Sequence, residues 1–111
     1  DKGNESISWM KYKDKIKIIE IEDGITRIGN YVFNGLNNLK KVYITSTVEE
    51  IGINPFLGCT KLKEIIISED NQNFIFKEGM LMTSNEEELI SYLYETIINF
   101  NFITKEFIYY F

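Results

Sequence analysis

The sequence predicts a solenoid of short parallel strands stacked at a fixed period, and three observations predict it. A pattern of 23 residues runs from Ile16, runs again from Leu39 and opens a third time at Leu62. The positions that match between copies are apolar residues and glycines: Ile19 with Val42 and Ile65, Ile21 with Ile44 and Ile67, Ile28 with Ile51, Gly29 with Gly52, Phe33 with Phe56, and Gly35 with Gly58. The positions that differ are mostly polar. A shared core beneath a variable surface produces that contrast, and a constant period of this length marks a repeat array.

The first segment, residues 1–15, starts polar and then brings Ile7, Trp9, Met10 and Tyr12 before a Lys/Asp cluster. It reads as a lead-in that covers the open end of the stack, because the first repeat of a solenoid exposes its core unless something caps it. Trp9 is the largest apolar side chain for that purpose, with stacking on a ligand as the other use of such a ring. Repeats follow at 16–38, 39–61 and 62–94.

Within a repeat the first seven residues alternate as a half-buried strand does, with Ile19 and Ile21 inward and Ile18, Glu20 and Glu22 outward. Asp23-Gly24 turns the chain, and Ile25 and Ile28 return apolar side chains to the core. Gly29 suits a tight turn or a positive φ. The stretch 31–35 is too short for a stable α-helix, so a single helical or 3-10 turn ending at Gly35 is expected there. Phe33 and Phe56 then stack one repeat apart.

Parallel stacking puts the outward residues in ladders: Ile18, Lys41 and Glu64; Glu20, Tyr43 and Ile66; Glu22, Thr45 and Ser68. Neighbouring strands lie about 4.8 Å apart, so Lys41 can pair with Glu64, and Tyr43 with Ile66 makes a small exposed apolar spot. Ile18, Glu20, Lys41, Tyr43, Glu64 and Ile66 are therefore the candidate partner-binding residues. Plain sheet surface with incidental pairing is the alternative for the same six.

After Ser68 the repeat breaks, since Asn71 falls where Ile25 and Val48 stand in the earlier copies. Residues 69–73 form a polar turn that lacks the residue order and distal glutamate of a calcium loop. Phe74-Ile75-Phe76 and Met80-Leu81-Met82 read as short strands. For the next stretch two readings stand. Ser84-Asn85-Glu86-Glu87 is a capping-box pattern, with Leu89, Leu93 and Ile97 at helical spacing. Alternation instead sets Leu89-Ile90-Ser91-Tyr92 against Met80-Leu81-Met82 as a hairpin, and β-branched and aromatic content favours it. Residues 95–111 are apolar and out of register. They cover the end of the stack, lie against another chain in self-association, or form an aggregation-prone tail.

Composition narrows the function classes. With 12 Lys and Arg against 17 Asp and Glu, the net charge is -5 and the sequence pI about 4.8, which argues against binding a phosphate backbone. The chain holds no histidine and one cysteine, Cys59, so it has neither an internal disulfide nor a Cys-His pair. No phosphate loop, zinc set or nucleophile elbow is present, and paired carboxylates arise by chance among so many acids. No enzyme activity, cofactor or metal is expected. Asn4-Glu5-Ser6 matches a glycosylation sequon. No charged segment followed by an apolar run marks a signal peptide, and no apolar run reaches the roughly 18 residues of a membrane helix.

The repeat resembles that of the BspA-like leucine-rich repeat family, L-x-x-I-x-I-P-x-x-V-x-x-I-G-x-x-A-F-x-G-C-x-x. Leu39, Val42, Ile44, Val48, Ile51, Gly52, Phe56, Gly58 and Cys59 fit it directly. Val32 and Pro55 stand where the family has alanine, Glu22 and Thr45 where it often has proline, and Leu36 where it has cysteine. The resemblance covers Trp9 to Tyr92, and Leu62 to Tyr92 is similar to a long, insert-bearing repeat, which supports the hairpin. It implies a leucine-rich repeat solenoid that serves as a surface-exposed or secreted module for adhesion or binding of a host protein. The alternative is a structural cap or spacer within a longer array.

Overall fold

Alternating β-branched runs that recur one period apart can bond to one another, and the strands form at those runs. The computed structural model describes residues 9–93. A short 3-10 helix at Trp9–Tyr12 leads into β1 (Ile18–Glu20), β2 (Arg27–Ile28), β3 (Lys41–Ile44), β4 (Glu50–Ile51), β5 (Glu64–Ile67), β6 (Phe74–Lys77), β7 (Met80–Thr83) and β8 (Leu89–Tyr92). The strands β1, β3 and β5 make a parallel sheet in that order, β2 and β4 a small second one, and β6, β7 and β8 an antiparallel third. Ile18 pairs with Lys41 and Lys41 with Glu64; Glu20 pairs with Tyr43 and Tyr43 with Ile66. The expectations for residues 1–8 and 95–111, and for the Trp9 side chain, lie outside the described residues.

The core runs along the stack. Leu36, Leu39, Val42 and Val48 have no exposed surface, and Ile44, Leu62 and Ile65 join them. Phe33 and Phe56 stack with ring centroids 5.7 Å apart and planes 12° from parallel. At that separation the rings add an aromatic contact to their burial, tying one coil to the next.

Three local expectations are corrected. Residues 31–35 form turns and not a helical or 3-10 segment. The cause is non-local: Tyr31, Phe33 and Gly35 donate their N–H groups to the carbonyls of Ile53, Pro55 and Leu57 in the following coil. With alternate donors committed outward, the consecutive local bonds of a helix cannot form. Ile25 is exposed where its counterpart Val48 is fully buried, because no described coil lies on the outer side of the first repeat. Gly29 and Gly52 do not have positive φ. The polar turn after Ser68 forms as expected, and within it Asn71 is buried.

The two readings of residues 85–92 resolve as the hairpin: Met80 pairs with Tyr92, Leu81 with Ser91 and Met82 with Leu89, with a bulge between Leu81 and Met82. Thr83 and Asn85 divert the capping-box residues into the turn. The Thr83 hydroxyl donates to Asn85 Oδ1 at 2.6 Å and accepts from the Glu88 N–H at 3.1 Å, and Asn85 Oδ1 also accepts from the Glu87 N–H.

Tyr31 and Asn54 occupy the same repeat position and share a left-handed backbone, with φ of 54° and 42°. Asparagine adopts that region at a lower cost than tyrosine. Because Tyr31 is exposed, Tyr31→Asn is expected to stabilise the fold by about 1 kcal/mol. A rise in the urea midpoint at constant slope checks it.

Candidate partner-binding face

The register of β1, β3 and β5 decides which side chains share a surface. Alternation turns Val42, Ile44 and Ile65 into the core and leaves Lys41, Tyr43, Glu64 and Ile66 on the other side. All six candidate residues fall on this one face. Ile18 is 57% exposed, Tyr43 37% and Ile66 39%. Lys41 Nζ lies 3.6 Å from the Glu64 carboxylate and 5.9 Å from the centre of the Tyr43 ring. An exposed ion pair of this kind adds little stability. Its effect is to hold a cation beside the aromatic ring, in the range where the two attract.

A shallow trough of about 280 Å³ lies along this surface, lined by Glu20, Glu22, Tyr43, Thr45, Ile66 and Ser68 among others. The third ladder, Glu22, Thr45 and Ser68, thus borders the same depression as the second. Its chemistry is an apolar floor with acidic groups at the β1 end and a hydroxyl pair at the other. A partner that fits presents an apolar side chain to Tyr43 and Ile66 and a basic group toward Glu20 and Glu22.

A family model described as a BspA type leucine rich repeat region (6 copies) matches residues 7–104. The chain belongs to the BspA-type leucine-rich repeat family. The match runs past Tyr92, where the likeness read from the residues stops. No curated protein matches the chain at a significant level. A leucine-rich repeat protein from Eubacterium ventriosum ATCC 27560, known from a crystal structure at 2.50 Å resolution, is 20% identical with a TM-score of 0.42. The alignment covers 77% of this chain and 41% of that one. The membership rests on the family match.

Two features of this BspA-type chain escape a reading of the sequence. Tyr31, Ile53 and Leu57 expose 47%, 61% and 49% of their surface at the turns that follow β2 and β4. The signal was an apolar residue at positions the repeat leaves variable. The other is Asn71, whose amide bridges two coils. Among the described residues no group of three His, Cys, Asp or Glu could hold a metal, and no helix is long and apolar enough to cross a membrane.

Cys59 fills the repeat position of Leu36 and is buried. Its thiol donates to the Phe33 carbonyl at 3.1 Å. Burial pushes the thiol pKa from 9.0 up to about 11, against a smaller lowering by a backbone hydrogen bond at Leu36. The thiol is therefore protonated near neutrality and a poor nucleophile. It is expected to resist alkylation in the folded chain and to react on unfolding, as thiol titration in urea will read. A raised folded pKa contributes stability that is complete below pH 9 and lost as pH rises through 11. Over that interval wild type should lose stability relative to Cys59→Ala.

Proposed function

We propose that this chain is a protein-binding repeat module of a surface or secreted protein, and that its binding surface is the outward face of β1, β3 and β5. One observation carries the reading: Tyr43 and Ile66 form an exposed apolar pair in register, flanked by the Lys41–Glu64 ion pair and the acidic end of β1. Aromatic anchors ringed by polar groups are the usual centre of a protein interface. The residues that carry it are Ile18, Glu20, Lys41, Tyr43, Glu64 and Ile66. Family membership supports partner binding in general, and adhesion to a host protein is the specific form this reading takes.

Tyr43→Asp and Ile66→Asp are each expected to weaken partner binding by about tenfold or more, with little change in the unfolding midpoint. Surface plasmon resonance on the immobilised chain beside thermal melts separates the two effects. Unchanged affinity in both variants would place the binding face elsewhere. A second reading, a cap or spacer that binds nothing itself, is favoured by Asn71, whose side chain closes carbonyls of the second coil. A longer array that binds equally well without this segment would select it.

A further inference from the structure

The turns after β2 and β4 carry a backbone ladder of their own. Tyr31, Phe33 and Gly35 donate their N–H groups to Ile53, Pro55 and Leu57 at 3.0, 2.9 and 2.8 Å. One repeat later stand Asn54, Phe56 and Gly58, and no described group accepts from their N–H groups. The cause is visible in the third unit, which leaves the repeat at Asn71 and turns into β6, β7 and β8. Among the described residues there is no third turn to bring carbonyls to the row. Beside it lies a cleft of about 180 Å³, lined by Phe56, Leu57, Gly58, Cys59, Leu62 and Leu93 among others.

We propose that this row is a strand-addition site for an extended peptide of the Ile-Asn-Pro-Phe-Leu kind, supplied by a repeat coil of another chain. The first coil shows what such a row accepts. There the occupant is Ile53–Leu57, which offers three alternate carbonyls and lays the Phe56 ring on Phe33. The open row already has the matching shape: Asn54 and Gly58 have φ of 42° and 78°, against 54° and 79° at Tyr31 and Gly35. A row held in its bound conformation loses little freedom on binding. Proline suits the occupant because only its carbonyl is used. Main-chain bonds supply the affinity, and the cleft selects an apolar side chain. This surface is separate from the face of β1, β3 and β5, so the two proposals stand or fall independently.

Amide hydrogen exchange on the whole chain tests it, with a synthetic peptide of residues 51–60 as the probe. In the free chain the amides of Asn54, Phe56 and Gly58 should exchange far faster than those of Tyr31, Phe33 and Gly35. Saturating peptide should slow those three by about tenfold or more, and a scrambled peptide should not. Leu57 exposes 49% of its surface at the rim, and Leu57→Asp should weaken the peptide by about tenfold while leaving the exchange of Tyr31, Phe33 and Gly35 unchanged. Absence of any slowing with peptide would overturn the proposal. So would finding the three amides already as slow as those of the first coil, since the chain would then fill its own row.

Discussion

Asn71→Ala is expected to cost about 3 kcal/mol, a large share of the stability of a chain this size. Asn71 is 9% exposed, and its side chain makes four hydrogen bonds. The amide donates to the Thr45 and Val48 carbonyls at 3.0 and 3.2 Å, and Oδ1 accepts from the Asn73 and Phe74 N–H groups at 2.8 and 3.2 Å. One half of the group thus closes the second coil while the other bends the chain into β6. Alanine would take one of two donors from each of the Thr45 and Val48 carbonyls, leaving them the Val48 N–H at 3.5 Å and the Asn73 side-chain amide at 3.4 Å. It would also leave the buried Phe74 N–H and the part-buried Asn73 N–H without the side-chain acceptor. Urea unfolding reads the loss, and a change below about 0.5 kcal/mol would mean that water replaces the amide. Asn71→Asp sharpens the test, since it keeps the shape and the two acceptor bonds but aims a carboxylate at two carbonyl oxygens. Repulsion and burial raise the folded pKa of that carboxyl above its unfolded value. The variant should therefore be least stable near neutrality and recover relative to wild type as acid protonates it.

Asn71 also marks the boundary of what the sequence makes legible. Val42, Ile44, Ile65, Leu39 and Leu62 were readable as core because stacking puts them at one spacing, and the same spacing brings Lys41 to Glu64 and Phe33 to Phe56. The exposed pair Tyr43 and Ile66 follows from alternation alone. Asn71 has the composition of a loop residue, and only the carbonyls of Thr45 and Val48, more than twenty residues away, make its burial favourable. The turn at 31–35 fails for the same reason. Its local pattern fits a helical turn, and the winning bonds go to Ile53, Pro55 and Leu57. Ile25 and Val48 are equivalent by sequence and differ in burial because one lies at an end of the described stack. Pattern gives the contacts that repeat, and it is silent about bonds that occur once and about ends.

Gly52→Ala is the second substitution with a large expected effect, at about 3 kcal/mol. Sequence matching with Gly29 suggests a turn glycine, but neither residue has positive φ. What Gly52 provides is room. A Cβ there would run into Asn30 Oδ1, and would lie 2.7 Å from the Asn30 backbone nitrogen and 3.0 Å from the Gly29 carbonyl carbon. Asn30 cannot simply turn aside, because its Oδ1 accepts the Ile53 N–H at 2.8 Å, and the Gly52 N–H donates to the Ile28 carbonyl at 2.8 Å. Relief therefore requires the two coils to separate along β2 and β4. Gly24 is the contrast, with φ of 97° and nothing within 4 Å of the place a methyl group would take, so Gly24→Ala should cost only about 1 kcal/mol through backbone strain. A double variant, Asn30→Ala with Gly52→Ala, distinguishes the two sources of crowding. It removes the side-chain clash and leaves the backbone one, so part of the loss should persist. Full recovery in denaturation would show that Asn30 alone sets the spacing, and equal costs at Gly24 and Gly52 would rule out close approach as the reason for glycine at 52.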